Sequence, residues 1–421
     1  MAEVSCWYQL PRYVVRRLSS ILEEQGFDLR SSNCEITSVS ASLWISSLYR
    51  LKVTDGPRAM SFYIKCLPSD VQRRNVFDSH LQFRNEAIFY SKIFTEFVHF
   101  GKEKFSHDSC VPIRIPKCYA AECKGENAFL VVEDLTSAGF VVLSRLKVMA
   151  LHELLLVMKE LGRFHAFSLA MKNQDPDRFS KLKESVSEIM FSISAYNKTT
   201  RDLVKFILND VLEMLKAHYP QSNSYLNKYE RFVGDAEDRI MKLIYDDSTN
   251  EAYNVITHGD LWVNNLMFHY PPGASGKEPD EMRFLDFQQT RYASPALDIG
   301  RLLFLGTDRM TREAHREDLL HCYHDSLSET VSHLGSDVEQ LLPFSALEPQ
   351  LKHCAPFIIS NVLLNLPHAL DEWEGSDDEV AGDDSDAIKS AIRSAHSRMT
   401  PVCKRRIIEV VEESVDRDYI N

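Results

Sequence analysis

The alternation of apolar and polar positions divides the chain into a strand-rich first third and a helix-rich remainder. Residues 11–27 carry apolar side chains at helical spacing, which predicts a helix that ends near Gly26. Strand patterns follow, separated by turn signals such as the Asp-Gly-Pro within 54–59. The predicted strands are 34–40, 45–53, 60–67, 113–121 and 128–135, with one helix at 83–94. This order predicts an antiparallel sheet.

Helical periodicity dominates the remainder of the chain. The strongest pattern covers 147–172, and further helices are predicted at 183–218, 316–334 and 387–416. The change of character near 134–140 indicates two lobes. We therefore predict an α+β, bilobal architecture, with an antiparallel-sheet N-lobe at 1–135 and a mainly helical C-lobe at 136–421.

One polar stretch interrupts the helical region. The segment 254-NVITHGDLWVNNLMFHY-270 places His258, Asp260 and Asn265 between two apolar runs, a pattern typical of two short strands joined by a loop. Asp286 follows another apolar pair in 284-FLDFQ-288, after a turn-rich connector. We expect Asp260, Asn265 and Asp286 to lie together at one end of one small sheet, at a cleft.

These residue types fit phosphoryl transfer. A carboxylate such as Asp260 can orient an attacking hydroxyl and accept its proton, while an amide and a carboxylate, Asn265 and Asp286, can hold Mg²⁺ against phosphates. Lys65 is a lone charge among apolar neighbours in 62-FYIKCL-67, and Glu86 follows it by 21 residues on a predicted helix. The pair Lys65–Glu86 could hold the lysine against the α- and β-phosphates of a nucleotide.

The charge of the chain bears on the kind of partner that it can bind. The 421-residue chain has a formal net charge of −13, which argues against a nucleic-acid binder. The segment 371–386 holds nine acidic residues and no basic one, and is predicted to be a solvated loop.

The location of the protein is predicted from three further features. No apolar run reaches the roughly 20 residues of a membrane span, and the first residues lack the apolar core of a secretory signal. The nine cysteines are scattered, as is typical of a reducing compartment. We expect a cytoplasmic protein without a membrane span, and the sequence indicates no oligomeric state.

The motifs together resemble the ecdysteroid kinase-like family, within the aminoglycoside phosphotransferase and choline kinase branch of the protein-kinase-like superfamily. The resemblance rests on 258-HGDLWVNNLMF-268 and 284-FLDFQ-288, supported by 132-VEDL-135, 84-RNEAIFY-90 and 161-LGRFHAFSLA-170. It covers roughly residues 35–335 and implies that the two lobes form a bilobal protein-kinase-like fold. Asp286 is not followed by the Phe-Gly and Ala-Pro-Glu signatures of protein kinases, so the acceptor is expected to be a small molecule.

The resemblance implies a role for each matching residue. Asp260 would be the catalytic base or hydroxyl-orienting group, Asn265 and Asp286 the magnesium ligands, and Lys65, fixed by Glu86, the phosphate contact. Glu133 and Leu135 would belong to the lobe connector that meets the adenine of ATP. His258 and Asp298 would brace the catalytic loop.

The phosphate-covering loop departs from the pattern of related kinases. It should fall near 38-SVSASLWISSL-48, which contains no glycine. Glycine lets backbone N–H groups approach phosphate closely, whereas here serines such as Ser46 would have to donate hydroxyl hydrogen bonds.

Three functions remain open at this point. The first is an ATP- and Mg²⁺-dependent kinase for a hydroxyl of a small molecule, such as a steroid alcohol of the ecdysteroid type. The second is a catalytically weak or silent binding protein of the same fold, favoured by the glycine-free loop. The third is a choline or ethanolamine kinase, which would need an acidic and aromatic acceptor site.

Overall fold

The architecture is known for most of the chain from a computed structural model. It describes residues 7–28, 30–39, 46–68, 74, 79–104, 112–123, 125–189, 196–245, 251–273, 278–370, 394 and 397–421, with the backbone alone at 126 and 196–200. The centre of the phosphate-loop prediction, 40–45, and the acidic segment 371–386 lie outside these residues.

The first part of the chain forms one antiparallel sheet in the order β1-β2-β3-β5-β4. The strands are β1 (Asn33–Ser38), β2 (Ser47–Asp55), β3 (Arg58–Cys66), β4 (Cys118–Glu122) and β5 (Phe129–Glu133). Helix α1 (Arg12–Glu24) covers one face, where Phe62, Ile64 and Val131 are buried against it. Because side chains alternate along a strand, Lys65 lies on the opposite face of β3.

A second helical layer contributes Glu86. Helix α2 (Ser79–Ile88) continues through a π-helical turn (Phe89–Ile93) into α3 (Phe94–Lys104). The aromatic residues of this layer pack on the helical half of the molecule, and Phe89 stacks on Phe287 with ring centroids 3.6 Å apart. This contact joins the helix of Glu86 to the segment of Asp286.

Most of the remainder is helical, as predicted. The helices are α4 (Leu151–Gln174), α5 (Pro176–Lys183), α6 (Tyr196–His218), α7 (Ser224–Tyr245), α8 (Ala296–Gly306), α9 (Arg309–His333), α10 (Val338–Leu341), α11 (Leu347–Ala369) and α12 (Pro401–Asp416). The α+β class with an antiparallel sheet first and helices after it is confirmed. The lobe boundary at residue 135 stays a prediction.

Several element boundaries were predicted wrongly. Residues 184–189 are not helical, so α6 begins at Tyr196 rather than at 183. Residues 113–117 precede β4 without being part of it, since Pro116 in this stretch cannot donate to a sheet ladder. The predicted helix 387–416 is observed from Pro401 onward, and most of its earlier part lies outside the described residues.

The strands around the polar stretch belong to two small sheets, not one. Strand β7 (Val255–Ile256) pairs with β10 (Tyr292–Ala293), whereas β8 (Leu266–His269) pairs with β6 (Phe140–Val142) and β9 (Glu281–Phe284). The hairpin of β8 and β9 was predicted, but the placement of β7 in the same sheet was wrong. The loop between β7 and β8 thus bridges two sheets.

No helix among the described residues is long and apolar enough to cross a membrane.

Candidate active site

The loop that carries Asp260 is held by a tight backbone approach. Gly259 has φ +84°, and a Cβ placed there would lie 1.9 Å from the carbonyl oxygen of Gln289. Only glycine fits such a position without moving the backbone. The N–H of Thr257 also donates to the carbonyl of Arg291 at 2.9 Å. These contacts fix the loop against the segment that follows Asp286.

Asp298, at the start of α8, anchors the same loop. Its carboxylate accepts the backbone N–H groups of His258 at 2.7 Å and Gly259 at 2.9 Å, and it lies 3.2 Å from Nε2 of His165. Burial raises the pKa of Asp298, but the hydrogen bond from His165, the electrostatic influence of the nearby rings of His165 and His258 and the N–H of Gly259 outweigh it and hold the pKa below its usual value. Asp298 is therefore an ionised anchor.

His258 connects the loop to the strand end before Asp286. Its Nε2 lies 2.9 Å from the carbonyl oxygen of Leu285, and its Nδ1 lies 3.3 Å from the backbone nitrogen of Asp260. Nε2 must donate and Nδ1 must accept, which defines the neutral ring with its proton on Nε2. Burial, partly offset by the neighbouring aspartates, lowers the pKa of His258. The geometry fits a bracing histidine.

The carboxylate of Asp260 is fixed at both oxygens. Oδ2 accepts the side-chain amide of Asn265 at 3.0 Å, and Oδ1 accepts Nη2 of Arg301 at 2.5 Å. Asn265 also donates to the backbone carbonyl of Asp260 at 2.8 Å. The structure thus brings Asp260 and Asn265 together, as predicted, and adds a buried arginine.

Lys65 is paired with two carboxylates. Its Nζ lies 2.7 Å from Glu86 and 2.9 Å from Asp286. Burial lowers the pKa of the Lys65 ammonium, but the charges of Asp286 and Glu86 outweigh it and raise the pKa above the ordinary value. Lys65 stays a cation, and the predicted ion pair with Glu86 is present.

Asp286 has a strained backbone. Its φ is +63°, a left-handed conformation that costs a non-glycine residue free energy. The preceding residue, Leu285, donates its N–H to the carbonyl of Asn265 at 2.9 Å. This bond ties the segment of Asp286, two residues after β9, to Asn265, the residue before β8.

A cleft of about 310 Å³ collects most of the predicted cofactor residues. Apolar side chains from the sheet, including Leu48, Leu130 and Val132, face Met267 and Leu285 from the other half. A slot of this kind suits a flat aromatic ring. The predicted site residues that line it are Lys65, Glu86, Glu133, Leu135, Asn265 and Asp286.

Ser46 lies apart from this lining. It is buried, and its Oγ has no hydrogen-bond partner among the described residues. Because 40–45 are not described, its predicted contact with phosphate stays a prediction.

The connector between the halves is tied down by a residue that sequence reasoning did not single out. Asp134 accepts hydrogen bonds from the backbone of Thr136 at 3.0 Å and from Nε of Arg50 at 2.7 Å. An Asp one residue before a short helical turn is a capping signal, and 134-DLTSAG-139 carries it. The cap fixes Glu133 and Leu135 at the rim of the cleft.

The donor set fits one Mg²⁺ ion. The amide nitrogen of Asn265 is engaged with Asp260, which leaves its oxygen as the atom available to a cation, and Lys65 engages only Oδ1 of Asp286. No group of three or more His, Cys, Asp or Glu side chains suited to a metal occurs among the described residues. Magnesium commonly takes only one or two protein oxygens and completes its shell with phosphate and water.

Arg301, His165 and Tyr323 were missed from the sequence. Tyr323 lies 3.0 Å from Nδ1 of His165, which in turn contacts Asp298. The available signal was an arginine within the apolar run 296-ALDIGRLLF-304, where Asp298 is the only other charge, since a buried arginine must have a partner. The sequence could indicate that Arg301 needs a partner but could not identify it.

The chain belongs to the ecdysteroid kinase-like family, whose model matches residues 39–336. The resemblance inferred from the motifs is confirmed. Among curated proteins, the Caenorhabditis elegans protein described as uncharacterized oxidoreductase dhs-27 is 22% identical over 352 residues. That match covers 77% of this chain and 40% of the relative, so the chain spans less than half of the relative's length.

Two solved structures align along most of the chain. An ethanolamine kinase of Plasmodium vivax is 15% identical, with 94% of this chain and 89% of that chain covered and a TM-score of 0.43. A choline kinase from Cryptosporidium parvum is 12% identical, with 97% and 96% covered and a TM-score of 0.47.

Proposed function

We propose that the protein transfers the γ-phosphoryl group of ATP to a hydroxyl of a small, lipophilic alcohol. One observation carries the proposal: Lys65, Glu86, Asn265 and Asp286 line one cleft, and Asn265 bonds directly to Asp260. A phosphate-binding cation, two oxygen ligands and a hydroxyl-orienting carboxylate are what phosphoryl transfer requires. Membership of the ecdysteroid kinase-like family supports it.

Each residue has one task in this account. The apolar slot and the connector at Glu133 and Leu135 bind the adenine, and Lys65 neutralises phosphate oxygens while Glu86 keeps it in place. Asn265 and Asp286 would hold Mg²⁺, which when bound supplies positive charge to the phosphates. Asp260 orients the acceptor hydroxyl.

The transfer step balances as a substitution at phosphorus. The acceptor oxygen forms a bond to the γ-phosphorus while the bond from that phosphorus to the β–γ bridging oxygen breaks, and ADP leaves with the bonding electron pair. The hydroxyl proton passes to the carboxylate of Asp260 and then to solvent. Lys65 offsets negative charge on the phosphates throughout.

The acceptor is inferred from the surface beside the cleft. Val141 and Val142 at the end of β6 are exposed large apolar residues, as are Leu146 and Val148 in the segment between β6 and α4, and Val142 also lines the cleft. An apolar rim favours a lipophilic acceptor such as a steroid alcohol of the ecdysteroid type over a strongly polar one.

The test is transfer of labelled γ-phosphate from Mg·ATP to a panel of ecdysteroids, sterols, other lipophilic alcohols, choline and ethanolamine. We expect a phosphorylated steroid or other lipophilic alcohol. Faster transfer to choline or ethanolamine would replace this acceptor class by amino alcohols. No transfer to any acceptor would favour a silent binding protein.

The site assignment is tested by Asp260→Asn. Loss of the hydroxyl-orienting carboxylate should lower kcat by at least about 100-fold, as loss of transition-state positioning does. The matched control is Asp280→Ala, which removes an exposed carboxylate at the start of β9 that contacts His269. Asp280→Ala should leave kcat unchanged, and near-wild-type kcat in Asp260→Asn would refute the assignment.

A further inference from the structure

Arg301 is a buried cation in an apolar helix. It lies one turn after Asp298 on α8, is 6% exposed, and has Leu302 and Leu303 as buried neighbours in sequence. Burial lowers the pKa of its guanidinium, and the carboxylates of Asp260 and Asp298 oppose that shift. A charge in this environment is stable only with a partner.

The guanidinium lies between the catalytic loop and α11. Nη2 contacts Oδ1 of Asp260 at 2.5 Å, and Nη1 contacts Oδ1 of Asn361 on α11. Asn361 is itself held, because the side-chain amide of Asn365 donates to its Oδ1 at 3.4 Å and to its backbone carbonyl at 2.7 Å. Asn361 thus holds one end of the Arg301 guanidinium, and the other end binds the oxygen of Asp260 that Asn265 does not contact.

The consequence for Asp260 is geometric. Asn265 occupies Oδ2 and Arg301 occupies Oδ1, so the carboxylate cannot rotate freely about its χ2 bond. A carboxylate offers about four lone-pair sites, and two of them remain for an acceptor hydroxyl. A planar, always charged guanidinium bound at two atoms suits this task better than an ammonium group.

We propose that Arg301 is a positioning residue for phosphoryl transfer, which holds the carboxylate of Asp260 in the orientation that receives the acceptor hydroxyl and is itself oriented by Asn361. The role in transfer rests on the proposed function. The pairing with Asp260 does not, and can be measured without turnover.

The pairing is tested by thermal unfolding of Arg301→Met, Asp260→Asn and the double variant. Arg301→Met leaves a buried carboxylate without its cation, so we expect a clear fall in Tm. In the Asp260→Asn background that charge is absent, and the same substitution should lower Tm by much less. If Arg301→Met lowers Tm equally in the wild-type and Asp260→Asn backgrounds, Arg301 and Asp260 are not coupled.

The positioning role is tested by kinetics with the best acceptor of the panel. Arg301→Met should lower kcat at least about tenfold while KM for Mg·ATP changes less than about twofold, because the nucleotide contacts remain. Arg301→Lys keeps the charge but cannot reach both partners, so its kcat should lie between those of the wild type and Arg301→Met. Added guanidinium salt should restore part of the activity of Arg301→Met.

The matched control is Arg312→Met on α9. Arg312 is a buried arginine paired with a glutamate, Glu413, at 2.6 Å. The Arg312→Met variant should have a lower Tm than the wild type, as Arg301→Met should, but the same kcat as the wild type. If Arg301→Met also keeps that kcat, or if guanidinium and the lysine variant restore nothing, Arg301 has only a structural role.

Activity of the wild type distinguishes failure of the proposed function from failure of the positioning role. If the wild type transfers phosphate to no acceptor, the proposed function and the positioning role both fail, although the coupling in Tm can persist. If the wild type is active and Arg301→Met is equally active, the positioning role alone fails.

Discussion

Asp298 shows how single residues set the geometry of the site. Three donors converge on its carboxylate, two of them backbone N–H groups of the loop that carries Asp260. Hydrogen bonds to a buried charged group contribute more than those between neutral groups. The loop therefore depends on the ionisation of one side chain that touches neither substrate.

This dependence predicts a pH effect on stability. The pKa of Asp298 is lower in the fold than in the unfolded chain, so its contribution is present above the unfolded value, near 4, and is lost as pH falls through the lower folded value. Asp298→Asn should cost roughly 2–3 kcal/mol at pH 7. The difference from the wild type in urea unfolding should shrink below about pH 4. A difference that stays constant from pH 7 to pH 3 would contradict this account.

At the residue scale, the sequence was informative where a residue type and its spacing implied a chemistry. Lys65, Glu86, Asn265 and Asp286 could be selected because their residue types and spacing match a motif. Arg301 and His165 could not, because their partners are remote in sequence and only the packing of α8 and α4 brings them to the loop.

At the scale of elements, α4 and α9 form the central helix pair of the second half. Gly162 of α4 makes this packing possible, since a Cβ there would lie 2.2 Å from the carbonyl oxygen of Tyr323 on α9. His165 lies one turn further along α4 and contacts Tyr323. The spacing of the two helices thus sets where His165 meets Asp298.

We predict that Gly162→Ala lowers the free energy of unfolding. The added methyl group must push the two helices apart, which we expect to cost about 1–3 kcal/mol. The control is Gly234→Ala on α7, where nothing lies within 4 Å of the new Cβ and the position is exposed. That change should stabilise by about 0.5–1 kcal/mol through helix propensity. If the two substitutions change the free energy of unfolding in the same direction relative to the wild type, the packing argument is refuted.

The elements that sequence reasoning placed wrongly are those set by long-range pairing. Strand β7 has two residues and pairs with β10, 37 residues further along from Val255 to Tyr292. A pattern of two apolar residues does not specify such a partner. Helices α8 and α11 were not predicted as separate elements, since apolar runs that are buried on all sides show little periodicity. Helix α7 was also missed, although its buried residues recur at helical spacing.

At the scale of the whole molecule, the cleft exists because two halves present different surfaces to each other. One face of the first sheet is covered by α1, so the other face brings Lys65, Leu130 and Val132 to the cleft. The second half contributes Asn265 and Asp286 through one hairpin. The overall order of a sheet followed by helices could be predicted from periodicity, but the meeting of these surfaces could not.

The cleft is proposed to bind Mg·ATP through Asp286. The direct measurement is thermal unfolding with and without millimolar Mg·ATP for the wild type, Asp286→Asn and Asp280→Ala. Asparagine is chosen at 286 because it tolerates the left-handed backbone. A ligand at 100 times its Kd stabilises by about 2.7 kcal/mol.

We predict a rise in Tm for the wild type and for Asp280→Ala, and little or none for Asp286→Asn. If Mg·ATP does not raise the Tm of the wild type, or raises that of Asp286→Asn equally, the cleft does not bind Mg·ATP through Asp286.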